Sequence, residues 1–201
     1  MKLTINTSFQ ENASSPYLLI LVDSEQLQKA ATAYEINDLN TLVEAAQFKA
    51  GLSESLPLIG KVAACNNSAL IGIDKAAEIQ PAKLAKIAQT IIKASQKKFK
   101  QISIDISALP PEQHYLFALA LTQAGYAFDE YKSKKNEFIL EQIHLIASDS
   151  SLNPQQLSLI HAVQSGQSLA RDLGNRPGNI CFPEYLAEQA QALAAEYPDL
   201  L

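Results

Sequence analysis

The chain has 201 residues, 47% of them hydrophobic and 18% charged, enough apolar mass for one sizeable core with a short appendage. A net charge of -5 and a pI near 5.2 leave no overall basic field, which disfavours non-specific attraction to nucleic acid or an anionic membrane. The opening MKLTINTSFQENASS is polar and alternating, unlike a secretory leader, and the longest apolar runs, Tyr17 to Val22 and Tyr115 to Leu121, are far too short to span a bilayer. A cytoplasmic protein with Cys65 and Cys181 as reduced thiols is therefore expected.

Strand and helix signals alternate through the first 150 residues, the pattern of a layered α/β domain. Leu3 and Ile5 suggest a first strand, and Tyr17 to Val22 a buried second one. Polar helices follow around Glu25 to Tyr34 and Leu39 to Phe48, then short strands at Leu56 to Ile59 and Ala69 to Ile73, separated by the turn-rich Cys65-Asn66-Asn67-Ser68. The next helix opens on Pro81 and repeats Leu84, Ile87, Ala88, Ile91 and Ile92 at three-four spacing. Its other side carries Lys83, Lys86, Lys93 and Lys97 and runs on to Lys98 and Lys100. This is either a ridge for phosphate groups or a solvated helix face, and the acidic total favours the second.

Gln101 to Ser107 alternates strictly, Ile102, Ile104 and Ile106 against Ser103 and Asp105, which predicts a half-exposed or edge-like strand. Pro110-Pro111 stops it, and an almost wholly apolar helix runs from Glu112 to Ala124, buried on two sides, with Gly125 as its cap. Phe138 to Ala147 reads as a strand covered on both faces. After the polar Ser148 to Ser151, Asn153-Pro154 opens a long helix expected to leave the sheet domain, with Leu159, Val163, Gly166, Ala170 and Leu173 on one stripe and its end at Gly174. An Ala-rich helix from Pro183 to about Glu196 completes the pattern.

Chemistry is harder to find. His114, His144 and His161 are scattered, without an HExxH or a carboxylate at ligand spacing, and are expected at the surface or half buried. Serines lack a G-x-S-x-G elbow, and Cys181 has no evident activating base. The seven glycines form no tight G-x-G, and Gly60-Lys61 lacks the upstream glycine of a phosphate loop. Asp105, Glu112, Asp129 and Glu130 are carboxylates that nothing in the sequence pairs in a pocket. The expectation is no catalytic, cofactor-binding or metal residue in this chain.

Two stretches resemble the leucyl (cytosol) aminopeptidase family: Gly125-Tyr126-Ala127-Phe128-Asp129-Glu130-Tyr131-Lys132, and Ala170-Arg171-Asp172-Leu173-Gly174-Asn175-Arg176-Pro177-Gly178-Asn179 followed by Pro183-Glu184-Tyr185-Leu186-Ala187. The specific likeness runs from Gly125 to Ala187, and earlier residues agree only in the order of elements. Phe182 replaces the usual threonine, and Gly72-Ile73-Asp74-Lys75 the usual G-L-G-K turn. Read by itself, the second stretch is a connector, in which Gly174 caps a helix, Pro177 and Pro183 bracket an extended passage, and the amides of Asn175 and Asn179 bond to nearby backbone.

The resemblance implies a mixed sheet flanked by helices in a macro-domain-like, three-layer arrangement, followed by a helical linker. Residues 1–150 would be a non-catalytic α/β domain, and 151–201 a linker helix and the truncated start of a catalytic domain. That absent domain would hold two divalent metals, zinc or manganese, and cleave peptides, and the parent would be a hexamer. This chain alone would be inactive, serving assembly and active-site access. Two other readings are an ADP-ribose or nucleotide module, which the missing glycine loops disfavour, and DNA binding by Lys83 to Lys100 with Lys132, Lys134 and Lys135, which the net charge disfavours.

Overall fold

In the computed structural model, residues 1–7, 16–25, 27–63, 65–149 and 152–198 are described. They form a six-stranded mixed sheet in the order β1-β6-β5-β2-β4-β3. The strands are β1 (Lys2–Asn6), β2 (Leu18–Val22), β3 (Ser55–Leu58), β4 (Ser68–Gly72), β5 (Gln101–Asp105) and β6 (Gln142–Ile146). All neighbours run parallel except β3, which pairs antiparallel with β4 at one edge. Parallel strands have to be joined by crossovers that cover the sheet, so their side chains are apolar on both faces. All five residues of β2 are buried, as are all five of β4.

The two faces build two cores. Leu19, Leu21, Ala69, Ile71, Ile102, Ile104, Ile143 and Leu145 meet α3 (Pro81–Ser95) and α4 (His114–Ala124). Leu18, Ile20, Val22, Leu70 and Ile146 meet α1 (Leu27–Ala33) and α2 (Leu39–Ala46). Helices thus lie on both sides of the sheet, the three-layer arrangement expected. The apolar stripe of α3 is fully buried at Leu84, Ile87, Ala88, Ile91 and Ile92, and α4 buries Phe117, Ala118 and Leu121.

Several expectations are corrected. The alternating strand β5 is no edge: it lies between β6 and β2, and Ile102 through Asp105 are all buried. Its polar positions face the α1/α2 layer, where Asp105 Oδ1 accepts from Ser107 N–H at 2.8 Å and Oδ2 accepts from the Tyr34 hydroxyl at 2.8 Å. Alternation therefore reports a polar face buried under helices, with Asp105 paired there, and not solvent. The strand predicted from Phe138 shortens to Gln142–Ile146, because Ile139 N–H bonds Gln96 O and Glu141 N–H bonds Lys100 O before the ladder begins.

His114, expected at or near the surface, is fully buried, its Nε2 3.1 Å from Leu109 O. Gly125 caps α4 as expected, with a right-handed φ of −81°, whereas Gly174 is not a cap: α5 (Pro154–Asn175) runs through it to a cap at Arg176.

The long helix α5 does start as predicted. Asn153 accepts from Gln156 N–H at 2.9 Å while the Gln156 side chain accepts from Asn153 N–H at 3.0 Å, a reciprocal capping box. It does not leave the sheet domain at once: Ile160 is fully buried, and the helix packs on α4 and β1. The anticipated stripe is off register, since Leu159 is 52% exposed and Ile160 supplies the anchor. The helix α6 (Pro183–Glu196) matches the expected bounds and buries no residue among those described.

Gly72 ends β4 against the chain that follows α2. A Cβ there would lie 2.3 Å from Gly51 O and 2.4 Å from the Ala50 carbonyl carbon. That backbone has no flexible end to move aside, and it is tied to Gly72 by Ser53 N–H to Gly72 O and Gly72 N–H to Glu54 O, each 2.8 Å. Gly72→Ala is expected to cost about 3 kcal/mol in urea unfolding. Gly166→Ala, where no atom lies within 4 Å of the new methyl, should stabilise by roughly 0.5–1 kcal/mol through helix propensity. Equal effects at the two sites would refute the close-approach argument.

On β6, His144 Nδ1 is 2.7 Å from Thr4 Oγ1 across the β1–β6 pair, and burial lowers its pKa from the ordinary 6.5. With the folded value below the unfolded one, both states are neutral above 6.5. As pH falls below it, the unfolded chain takes the proton first and stability drops, levelling off once pH passes the folded value. The urea midpoint should fall between about pH 7.5 and 5.5, and His144→Gln should reduce that fall; an unchanged pH dependence in the variant would show that other groups cause it.

Candidate functional site: a crevice at the strand ends and a polar junction

A doubly covered parallel sheet leaves an opening where successive crossovers diverge. Here the chain after β2 passes to β4 on one side, while β5 returns on the other. Beyond the carboxyl ends of β2 and β5 lies a crevice of about 150 Å³ lined by Asp23, Lys29, Ala30, Asp105 and Ser107 among others. Its two buried carboxylates are held by donors. Asp23 accepts from Glu25 N–H and from Ala76 N–H, both at 2.7 Å, and Asp105 from Ser107 N–H and Tyr34. Burial, and then the Asp105 charge, push the Tyr34 phenol far above its ordinary pKa, so it stays a donor. The volume is well below the roughly 300–1,000 Å³ of small-molecule sites.

Tyr34→Phe leaves a buried Asp105 oxygen without its donor and is expected to cost about 1–3 kcal/mol in urea unfolding. Alkaline spectrophotometric titration of the parent should include a phenol that ionises only as the protein unfolds, and Tyr34→Phe should lower the count of such phenols by one. A full complement of readily titrating phenols in the folded protein would refute this account.

The second site is where the two motif stretches meet. The Tyr126 hydroxyl donates to Asp172 Oδ1 at 2.8 Å and accepts from Asn175 Nδ2 at 3.1 Å, and the Arg171 guanidinium lies 5.1 Å from the Tyr126 ring centre. Burial and the Asp172 hydrogen bond raise the Tyr126 pKa. Arg176 Nε donates to Glu130 Oε2 at 3.0 Å. Its Nη1 donates to the Tyr185 hydroxyl on α6, and its guanidinium sits 5.3 Å from that ring's centre. The Glu130 hydrogen bond raises the Arg176 pKa further.

Asn175 thus bonds a side chain from the sheet domain and not the neighbouring backbone expected of it. The passage between Pro177 and Pro183 is a turn, not an extended stretch, with Ile180 and Cys181 N–H both bonding Pro177 O at 2.9 Å. In the first motif, Asp129 fixes its own loop through Lys132 Nζ at 2.6 Å and Asn136 N–H at 2.7 Å.

The other sequence candidates are dispersed. Lys83 pairs with Asp74 at 3.3 Å and Lys100 with Glu141 at 3.7 Å, so two of the basic ridge's cations face carboxylates, while Lys86, Lys93, Lys97 and Lys98 are exposed. Glu112 lies in the short turn before α4. Cys65 is buried and Cys181 half buried, and the two do not form a disulfide. Among the described residues, no three His, Cys, Asp or Glu side chains are grouped so as to hold a metal ion, and no helix is long and apolar enough to cross a membrane.

The fold and the junction define a three-layer α/β domain whose clearest polar cluster joins it to a following helical pair. The chain belongs to the cytosol aminopeptidase family: the profile of that family's N-terminal domain matches residues 18–135. It is 65% identical over its whole length to a probable cytosol aminopeptidase of Acinetobacter baumannii and 59% identical to one of Acinetobacter baylyi. It spans 42% of each of these relatives. A tomato leucine aminopeptidase mutant has the same fold over 99% of this chain and 43% of its own, with a TM-score of 0.79 at 18% identity. The bottromycin maturation enzyme BotP in complex with Mn matches 91% of this chain and 37% of its own, with a TM-score of 0.67 at 16% identity.

Proposed function

We propose that this chain is the N-terminal part of a metal-dependent leucyl aminopeptidase that removes N-terminal residues from peptides in the cytoplasm. Residues 1–150 form its non-catalytic α/β domain, and residues 151–201 the linker helix and the start of the catalytic domain. The role of the α/β domain is hexamer assembly and control of access to the active sites. Two divalent metals, zinc or manganese, and the chemistry of cleavage belong to the remainder of the longer protein.

One observation carries this reading: identity of 65% is maintained across all 201 residues to a cytosol aminopeptidase of which they make up 42%. The junction of Tyr126, Asp172 and Arg176 supports it, because a domain that serves another by position needs directional contacts where the two join.

The test joins this chain to the remaining part of the A. baumannii relative and compares the fusion with the chain alone. The fusion is expected to hydrolyse a leucyl anilide with Mn²⁺ or Zn²⁺ and to sediment as a hexamer, and the chain alone to be inactive. Hydrolysis by the chain alone, or an equally active monomeric fusion, would overturn the assigned role.

A further inference from the structure

We infer that Arg176 is the positioning residue that sets the direction in which α6 leaves the sheet domain. The inference deepens the proposed function and rests on it for its purpose, although not for its geometry. Apolar packing does little to hold α6. The helix buries none of its described residues, Leu186 and Leu193 on it are 45% and 39% exposed, and α5 beside it has Ile160 as its buried anchor. Among the described residues, the hydrogen-bonded tie between α6 and the sheet domain runs through Arg176.

Arg176 is the cap of α5, the last fixed point before the Pro177–Cys181 turn. One edge of its guanidinium meets Glu130, in the loop after α4, and another nitrogen meets the Tyr185 hydroxyl in the first turn of α6. Its side chain is 19% exposed against 43% for Glu130, so the cation is the better-enclosed partner. A planar fork can serve two acceptors in fixed directions at once, whereas a lysine ammonium on a flexible stem cannot fix both.

The base of the fork is held as well. Arg176 N–H bonds Asp172 O at 3.1 Å, and the Asp172 carboxylate is gripped by Tyr126 of the sheet domain. The arginine thus stands on one contact to the domain and reaches out through two more. Removing the fork leaves α6 joined by a short turn and free to swing, with the sheet core untouched.

The experiment measures the distance between nitroxide labels at Lys86→Cys on α3 and Glu188→Cys on α6, in a Cys181→Ser background of the 201-residue chain, by pulsed electron resonance. Both label sites are exposed. The parent is expected to give one narrow distribution. Arg176→Gln, Arg176→Lys and Tyr185→Phe should each at least double its width, with urea midpoints that stay close to the parent's. Glu130→Gln, at a more exposed position, guards against misfolding of the arginine variants and should broaden the distribution as well.

A parent distribution that is already broad, or one that stays narrow in both Arg176→Gln and Glu130→Gln, would overturn the inference. The measurement needs no peptidase activity. A failure of the proposed function would appear in the fusion assay and leave the distances standing, while a failure here would leave the assay unchanged.

Discussion

A parallel sheet has to be dry on both faces, and most of this chain's structure follows from that requirement. The strands β2, β4, β5 and β6 have neighbours on both sides, so their backbone groups are paired within the sheet, and helices must supply cover above and below. Close cover has local consequences. At Gly72 the backbone of Ala50 and Gly51 comes so near that a methyl group has no room. To make that approach the chain takes left-handed turns at Gln47, Ala50 and Ser53, with φ between 52° and 66°. Each non-glycine residue in that region costs free energy, which the surrounding burial has to offset. At Asp105 the same cover encloses a carboxylate, and Tyr34 and Ser107 supply the donors that an enclosed charge requires.

Where local pattern and tertiary burial agree, the elements are legible in the sequence alone. The three-four stripe of α3, the Asn153-Pro154 start of α5 and the Pro183 start of α6 each encode their element within a few residues, and all three form there. Alternation misleads at β5 because it records which residues are polar, not whether they see water. A serine and an aspartate on one face predict exposure unless a partner 71 residues away in sequence, here Tyr34, is known to bond the aspartate. Likewise, residue type alone places His114 at the surface or half buried and Asn175 on nearby backbone. Their actual partners are Leu109 O and the Tyr126 hydroxyl, the second of which only the folded chain brings near.

The polar junction is half legible. Both motif stretches stand out as a family signature from Gly125 to Ala187, yet the family profile covers residues 18–135, most of which carry no recognisable motif. Nothing in the one-dimensional pattern shows that the two stretches touch, since the pairs Tyr126–Asp172 and Glu130–Arg176 each span 46 residues. The departures from the family pattern have physical readings. Asp74, where glycine is usual, keeps the left-handed turn at φ 63°, which aspartate tolerates better than most residues, and its carboxylate meets Lys83 at 3.3 Å. Phe182, where threonine is usual, occupies the N-cap of α6 without a side-chain oxygen to offer, and the helix begins with no side-chain cap.

The missing cap bears on why the junction is polar. Burial of apolar surface is strong but non-directional, and it tolerates sliding and rotation of one element on another. A helix that must point one way needs contacts that weaken when the angle changes. Charge-assisted hydrogen bonds from a planar guanidinium have that property, and the cation over the Tyr185 ring adds a second angular restraint. Each contact on its own is modest, because Glu130 and the surrounding loop are open to water. With no side-chain cap to start α6 and no buried residue along it, the helix has little else to define its direction, so a few modest contacts suffice to choose it. The core makes the domain stable, and the junction at Arg176 gives α6 its directional contacts.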